Sequence, residues 1–450
     1  LTGENAGDGA TTAPQIYAET ITSLVSGKIF RLEKGSTEVL EAAAILGKQF
    51  NPRVLEEMIG NENDNLNSSL DDLVRVGLLS INEKIPSVGG YEFKHDIERE
   101  IIERDLSPAF KRDLHRKAAR ALVKCNGDFQ GVYVEMARHY EASDEREEAM
   151  NAWLEAGRFA RKQFLPDDSY IAYRNAFELI KGSPGLFTDA QILTVVNEWA
   201  NLAYEKDDIA TCEKIYQGCI EIGAFKNSTL LTGVGFSGSG WVAYIINDFQ
   251  NAKDNYDRAD FYLAQTDSTE EKVKLLLRSG DLKFDLDQYS KALQLHKKAL
   301  SFTGQENDLE MQESRVEIMS SMCAELCFKG EQKKGMALAE ELQKESILLP
   351  KRSTKMQAAA VTGMVDYFCA RYDQVIQSYL GVSEPSERFN VHYWYSFMEI
   401  VAGGSYLESG DLDKAWTCLN QAEVQDQQCV ADKLSMHILL LKGNFYQKLR

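Results

Sequence analysis

An internal repeat constrains this sequence more than any other feature. Small residues stand at seven positions whose successive spacings are 40, 40, 43, 40, 40 and 40 residues. These anchors are Ala200, Gly240, Gly280, Cys323, Gly363, Gly403 and Gly443. In most copies, further small residues follow 12 and 19 positions after the anchor. A larger side chain (Tyr, His or Leu) follows 16 positions after it. A fixed period of this length indicates one supersecondary unit stacked many times, not a set of unrelated domains.

Each unit is predicted to be a pair of α-helices. Polar turns such as Asn247-Asp248 lie between the anchor and the next small residue, and residues of this kind end one helix and begin another. Proline, which interrupts helices, is absent between Pro184 and Pro350. We expect the small anchor to let the paired helices approach closely. We expect the larger side chain 16 positions after it to fill the space against the next unit.

The spacing resembles the tetratricopeptide repeat, although the units here span 40 residues or slightly more, where that repeat usually spans about 34. A less regular pair precedes them, because Ala137 and Gly157 also fit the anchor pattern and one helix at about 146 to 164 would serve both. This gives about eight full units and a truncated one that begins at Gly443. The resemblance implies an all-α superhelix whose concave face binds a partner rather than performing chemistry.

Residues 36–125 lack the repeat and are predicted to form a small winged-helix-like domain. Three helical patterns come first, at 36–47, 52–59 and 66–76. Two short strand patterns follow at 78–81 and 91–93, with a loop at 86–90 between them. The region has 13 basic and 16 acidic residues, and its third helix carries Asp71 and Asp72 against Arg75. DNA affinity depends on neutralising phosphates, so a structural or regulatory role is favoured. The net charge of −19 also argues against nucleic acid or an anionic membrane as partner.

Four blocks, 38–59, 70–80, 91–122 and 137–160, follow one another in an order that resembles a known family. It is the region after the nucleotide-binding domain of STAND-type signalling ATPases, especially those fused to class III adenylate/guanylate cyclases, kinases or transcriptional regulators. Residues 20–32 resemble the last helix of the preceding ATPase lid. The resemblance implies that the winged helix holds an ADP-bound resting state until the repeats sense a stimulus.

The segment Lys94-His95-Asp96 is similar to the Met-His-Asp motif of some members of that family. The resemblance implies that His95 is a cofactor-binding residue that contacts the ADP β-phosphate. The alternative is a structural role for His95 at the junction of a strand and a helix, with Asp96 as the N-cap. No G-x-x-x-x-G-K-[ST] loop occurs in the sequence, so ATP or ADP would bind only through an upstream domain.

Other chemical motifs are interpreted as structural. Gly233-x-Gly235-x-x-Gly238 matches a dinucleotide fingerprint, but no β-α-β pattern surrounds it, so a closely packed helix is favoured. Cys323 and Cys327 could share a helix face, yet a zinc site needs about four ligands and no second pair accompanies them. No nucleophile signature is present. We therefore expect no catalytic residue, no metal ligand and no enzymatic activity in these 450 residues.

One predicted helix carries a basic run against a single acid, Asp113. Its cations are Lys111, Arg112, Arg116, Lys117, Arg120 and Lys124. A solvated helix face is the simpler interpretation. The alternative is that this face docks on an acidic partner or on an upstream domain.

The sequence thus predicts a linker with the end of an upstream lid helix at 1–35, a winged-helix-like domain at 36–125 and repeats at 126–450. The predicted function is that of a regulatory sensor in a STAND-type ATPase, binding a protein or small ligand on the concave face. The alternatives are a free-standing scaffold for complex assembly and the arm of a transcription regulator. Scattered cysteines and the absence of an apolar run of 18 residues favour a cytoplasmic location without a membrane segment.

Overall fold

The computed structural model describes eight stretches of the chain. They are residues 22–60, 66–82, 90–126, 130–206, 208–304, 308–381, 392–426 and 434–449. Most of the predicted linker (1–21) and most of the predicted wing loop (86–89) lie outside the described residues. The chain divides into two compact units, Leu1–Phe187 and Thr188–Arg450. The predicted domain boundary at 125/126 falls inside the first unit and stays a prediction.

The first unit begins with helices around a small sheet and ends in stacked helices. Residues 22–29 are helical. The later elements are α1 (Lys34–Leu46), β1 (Gln49–Phe50), α2 (Pro52–Ile59), α3 (Leu66–Arg75), β2 (Leu79–Asn82), β3 (Gly90–Phe93), α4 (Asp96–Asp105), α5 (Pro108–Asn126), α6 (Gln130–Ala142), α7 (Arg146–Lys162), α8 (Pro166–Gly182) and a 3₁₀ turn (Pro184–Leu186).

The strands form an antiparallel sheet in the order β1-β3-β2. Gln49 pairs with Glu92, and Leu79 pairs with Phe93. The sequence predicted β2 and β3 but not β1, whose two residues are too few to show an alternating pattern. Apolar side chains from the first three helices and the sheet share one core, and Leu40, among others, is fully buried in it.

The second unit consists of helical hairpins. Its elements are α9 (Asp189–Glu205), α10 (Ile209–Lys226), α11 (Thr229–Ile245), α12 (Phe249–Leu263), α13 (Thr269–Asp285), α14 (Tyr289–Phe302), α15 (Leu309–Phe328), α16 (Gln332–Ile347), α17 (Arg352–Phe368), α18 (Tyr372–Leu380), α19 (His392–Ser409), α20 (Leu412–Asp426) and α21 (Ser435–Lys448). The anchors from Ala200 to Gly403 each lie in the first helix of a hairpin, and Gly443 lies in α21. Within the described residues, no helix is both long and apolar enough to cross a membrane.

Five of the turns inside the hairpins share one backbone conformation. The residue seven positions after an anchor has a positive φ angle: Asn247 (61°), Asp287 (58°), Gly330 (78°), Ala370 (56°) and Gly410 (87°). The next amide then donates to a carbonyl five residues earlier, as from Asp248 to Ala243 at 2.9 Å. This left-handed cap ends the first helix. The Asp248 carboxylate accepts from the Asn251 amide and so starts the second helix.

Several glycine anchors leave room for a ring. A Cβ atom on Gly240 would lie 2.6 Å from the ring of Tyr256, the residue 16 positions later in the same hairpin. The prediction that this side chain packs against the next unit holds for Tyr216, whose ring lies against Gly238 of the following hairpin. Tyr256 thus packs on its own anchor and Tyr216 packs on the following hairpin. The contact with the residue's own anchor was not expected from the sequence.

In the third hairpin the ring is a histidine. His296 is fully buried over Gly280, with Nδ1 2.7 Å from Glu325 Oε1 and Nε2 3.0 Å from the Leu277 carbonyl oxygen. Burial opposes its charge, but Glu325, Asp281 and the carbonyl outweigh burial and raise the pKa of His296. Because the carbonyl can only accept, Nε2 carries a proton, and the His296–Glu325 contact shares a second one.

A second histidine contact joins α5 to α6. Nδ1 of His115 lies 2.8 Å from Nδ1 of His139, and both side chains are buried. One nitrogen must donate and the other accept, so both rings cannot be protonated in this geometry. Burial and the neighbouring His115 outweigh Glu103 and lower the pKa of His139 to about 4.

Replacing the anchor Gly240 by Ala is expected to destabilise the second unit. The new methyl group would overlap the buried Tyr256 ring, which costs about 1–3 kcal/mol. Gly363→Ala is the matched control, because Gly363 is an anchor whose added Cβ would meet nothing within 4 Å. It should stabilise the helix by up to about 1 kcal/mol. Urea unfolding followed by circular dichroism measures both, and equal effects would contradict the packing role.

Acid is expected to weaken the first unit through the histidine pair. The folded-state pKa of His139, about 4, lies below its ordinary value of 6.5, so its contribution is complete above pH 6.5 and is lost as the pH falls toward 4. The loss amounts to about 3 kcal/mol. Urea unfolding at pH 7.5 and pH 4.5 should show a smaller drop for His139→Gln than for the wild type. The exposed His95→Gln is the control and should behave as wild type.

Candidate functional site

An open groove of about 610 Å³ lies in the first unit. It is lined by side chains from α6 and α8 and by Trp153 of α7. The lining residues are Val134, Arg138, Glu141, Trp153, Asp168, Ile171, Asn175, Glu178 and Leu179.

The groove follows from the helix that two neighbours share. Short turns after α6 and after α7, with positive φ at Asp144 and Phe164, reverse the chain twice. As predicted, α7 packs against both neighbours, and Gly157 on α7 lies beneath the ring of Tyr173 on α8. Two reversals leave α6 and α8 parallel to each other, so their side chains face across α7.

The groove offers both charge and apolar surface. Arg138 and Glu178 are exposed and, among the described residues, make no ion pair or hydrogen bond. Glu141 accepts a hydrogen bond from the indole N–H of Trp153, and Ile171 leaves 45% of its surface exposed. Exposed polar groups beside an apolar side chain, in a concave site, suit recognition of a ligand rather than helix packing.

The sequence predicted a binding face but not these residues. The sequence of α8 contains a signal for them, because Ile171, Asn175 and Glu178 are spaced four and three residues apart and so share one helix face. The residues on its other face, Ala172 and Tyr173, are buried. An apolar residue on the polar face of an amphipathic helix indicates an exposed contact point for a ligand.

His95 lies apart from this groove. It is exposed and immediately precedes α4, where its side chain makes no capping hydrogen bond. The alternative structural interpretation was wrong in one respect, because Asp96 is the first helical residue and not the N-cap. The Asp96 carboxylate instead accepts from Arg99 Nε at 2.7 Å, since an acid in the first turn pairs readily with a cation one turn later.

The basic run of α5 is largely neutralised within the first unit. Lys111 pairs with Glu103 at 2.6 Å, and Lys124 pairs with Glu57 at 2.6 Å. Arg116 pairs with Glu145, whereas Arg112 is exposed and makes no ion pair among the described residues. These pairs support the solvated-face interpretation over a cationic docking surface.

The remaining motifs lie in packed helices. Gly233 and Gly235 both lie within α11, where a Cβ atom would meet Leu263 at 2.7 Å and Ile220 at 2.5 Å. Cys323 and Cys327 are buried, and burial raises the pKa of Cys327 to about 11. In the described part of the chain, no group of three or more His, Cys, Asp and Glu residues could hold a metal ion.

No family model and no curated protein matches this sequence. Among solved structures, the chain is similar to a Signal Transduction ATPase with Numerous Domains (STAND) protein with a tetratricopeptide repeat sensor from Pyrococcus horikoshii. The TM-score is 0.54 at 12% identity, and the match covers 94% of this chain and 60% of that one. This chain therefore spans about three fifths of the length of the Pyrococcus protein.

Two further structures show weaker likeness. A Rap protein complexed with Competence and Sporulation Factor gives a TM-score of 0.46 at 14% identity, covering 66% of this chain and 80% of that one. Yeast Tom70 gives 0.39 at 12% identity, covering 98% and 76%. The likeness to the Pyrococcus protein shows the fold: the chain is all-α with a tetratricopeptide-like α-α superhelical architecture, as the sequence predicted.

Proposed function

We propose that this chain is a sensor that binds an extended segment of a partner protein in the groove between α6 and α8. The observation that carries the proposal is the combination of the exposed Ile171 with Arg138 and Glu178, which make no bond among the described residues. An apolar contact point with a donor and an acceptor beside it matches what a peptide presents, namely side chains alternating with backbone amides.

We further propose that the sensor controls an upstream nucleotide switch. The four sequence blocks resemble a STAND-type ATPase in order, and the fold is similar to that of a STAND protein with a tetratricopeptide repeat sensor. In this proposal, residues 36–125 act as a winged helix, and His95 contacts the phosphate of ADP in the preceding domain. The exposure of His95 and its free capping position support a role toward another domain. The protein would act in the cytoplasm without binding nucleic acid.

A free-standing scaffold for complex assembly is the second candidate function. The observation in its favour is that the groove is built entirely from α6, α7 and α8. Binding there needs no nucleotide domain. The two candidates therefore share the groove and differ in whether binding is coupled to nucleotide exchange.

Photo-crosslinking tests the groove directly. With p-benzoylphenylalanine in place of Asn175, which lines the groove, cells that express the protein should yield a specific crosslinked partner. The same substitution at the neighbouring Arg174, which is exposed and does not line the groove, is the control. Equal crosslinking from both positions, or none from position 175, would contradict binding in the groove.

The switch is tested in the full-length protein. If the gene upstream of Leu1 encodes Walker A and Walker B motifs, His95→Ala should accelerate release of a fluorescent ADP analogue by about tenfold, the effect of losing one charge-assisted hydrogen bond. The exposed His437→Ala is the control. An upstream reading frame without those motifs, or unchanged ADP release, would remove the switch hypothesis.

A further inference from the structure

We propose that the groove selects a basic segment of the partner. An apolar residue of that segment would contact Ile171, and a lysine or arginine three positions away along the segment would pair with Glu141 and Glu178. The inference rests on the proposed function, since it names the chemistry of the partner for the same groove.

The charges of the lining residues favour a cation. One cation, Arg138, stands against the carboxylates of Glu141 and Glu178, and the carboxylate of Asp168, which has an interaction partner of its own, also lines the groove. Each unit charge in a concave, partly desolvated site attracts the opposite charge more strongly than the same charge on an open surface. A cationic segment is therefore the complementary partner.

Two of the lining carboxylates, Glu141 and Glu178, lie toward the C-terminal ends of their helices, whereas Asp168 lies in the first turn of α8. Glu141 lies in the last turn of α6, and Glu178 lies about one turn before the end of α8. Helix C-termini carry partial negative charge, so acids there reduce the stability of the helix. Arg146, at the start of α7, is already engaged by Asp144 at 3.1 Å and by Ser183. The Glu178 carboxylate makes no bond among the described residues, so it is available to a cation from a partner.

The distance between Ile171 and Glu178 sets the spacing between the apolar and the basic residue of the partner. Ile171 and Glu178 are seven residues apart on one helix, which corresponds to about 10.5 Å at a rise of about 1.5 Å per residue. An extended segment advances about 3.3 Å per residue, so about three residues cover that distance. The expected pattern is an apolar residue and a basic residue three positions apart, in either chain direction.

The remaining groups in the middle of the groove suit the backbone between those two side chains. Arg138 has donors only, and Asn175 has a donor and an acceptor. Carbonyl oxygens of an extended segment would accept hydrogen bonds from Arg138. Backbone N–H groups of the same segment would donate to the side-chain oxygen of Asn175. These contacts orient the segment, while Ile171 and Glu178 select its sequence.

A synthetic peptide tests this chemistry. The probe is the acetylated, amidated and fluorescently labelled heptapeptide Lys-Ser-Ser-Leu-Ser-Ser-Lys, which presents the spacing in both directions. Fluorescence anisotropy with the whole chain should show binding at least about tenfold tighter than to the Glu-Ser-Ser-Leu-Ser-Ser-Glu peptide, and affinity should fall as salt is added. A lysine peptide with Ser in place of Leu should also bind about tenfold more weakly.

Substitutions locate the binding. Glu178→Gln and Ile171→Ser should each weaken the lysine peptide by about tenfold. The matched controls are Glu155→Gln on α7 and Leu186→Ser, because both side chains are exposed outside the groove, Leu186 by 59%. Charge reversal, Glu178→Lys, should shift the preference toward the glutamate peptide. Thermal unfolding by circular dichroism verifies that each variant is folded.

Three results would overturn the proposal: no binding of the lysine peptide, equal binding of the glutamate peptide, or no change of preference in Glu178→Lys. Its failure is distinguishable from that of the proposed function. If position 175 still crosslinks a partner while the peptides behave in one of these ways, only the basic chemistry is wrong. If position 175 yields no crosslink, the groove itself is not the binding site.

Discussion

The close approach of two helices at a small anchor is the contact on which the second unit depends. Gly240 leaves a space that the ring of Tyr256 fills, and Gly280 does the same for His296. Because these rings are buried, one added methyl group at Gly240 or Gly280 would disturb the packing of its hairpin. The left-handed residue seven positions after the anchor then turns the chain at a fixed point. Anchor and turn together set the period of the repeat.

The same packing rule generates the groove in the first unit. There the anchors Ala137 and Gly157 lie on consecutive helices, so α7 serves as the second helix of one pair and the first of the next. Sharing one helix removes a helix between α6 and α8 and lets their side chains face each other. The groove is thus a consequence of irregular repeat spacing rather than an insertion. The proposed binding depends on residues such as Ile171 and Glu178, which the helices do not need for their own packing.

The sequence was sufficient for the helical hairpins because their determinants are local and periodic. Anchors, capping residues and polar turns such as Asn247-Asp248 occupy fixed positions and predict the helices closely. The two-residue strand β1 was missed, since it forms only by pairing with β3, which lies far along the chain. Asp96 was assigned as a cap, yet its carboxylate pairs with Arg99 instead. The groove residues were not predicted either: the spacing of Ile171, Asn175 and Glu178 marks one face of α8, but the opposite wall depends on how α6 and α7 pack beside it.

We propose that occupancy of the groove is conveyed to a nucleotide switch. The most direct measurement is the rate of nucleotide exchange by the full-length protein, with and without the partner captured at position 175. We expect faster exchange of ADP for ATP when the partner is bound, and no acceleration when Ile171 is replaced by Ser. An exchange rate that is unchanged while the partner demonstrably occupies the groove, or a full-length protein that binds no nucleotide, would contradict it.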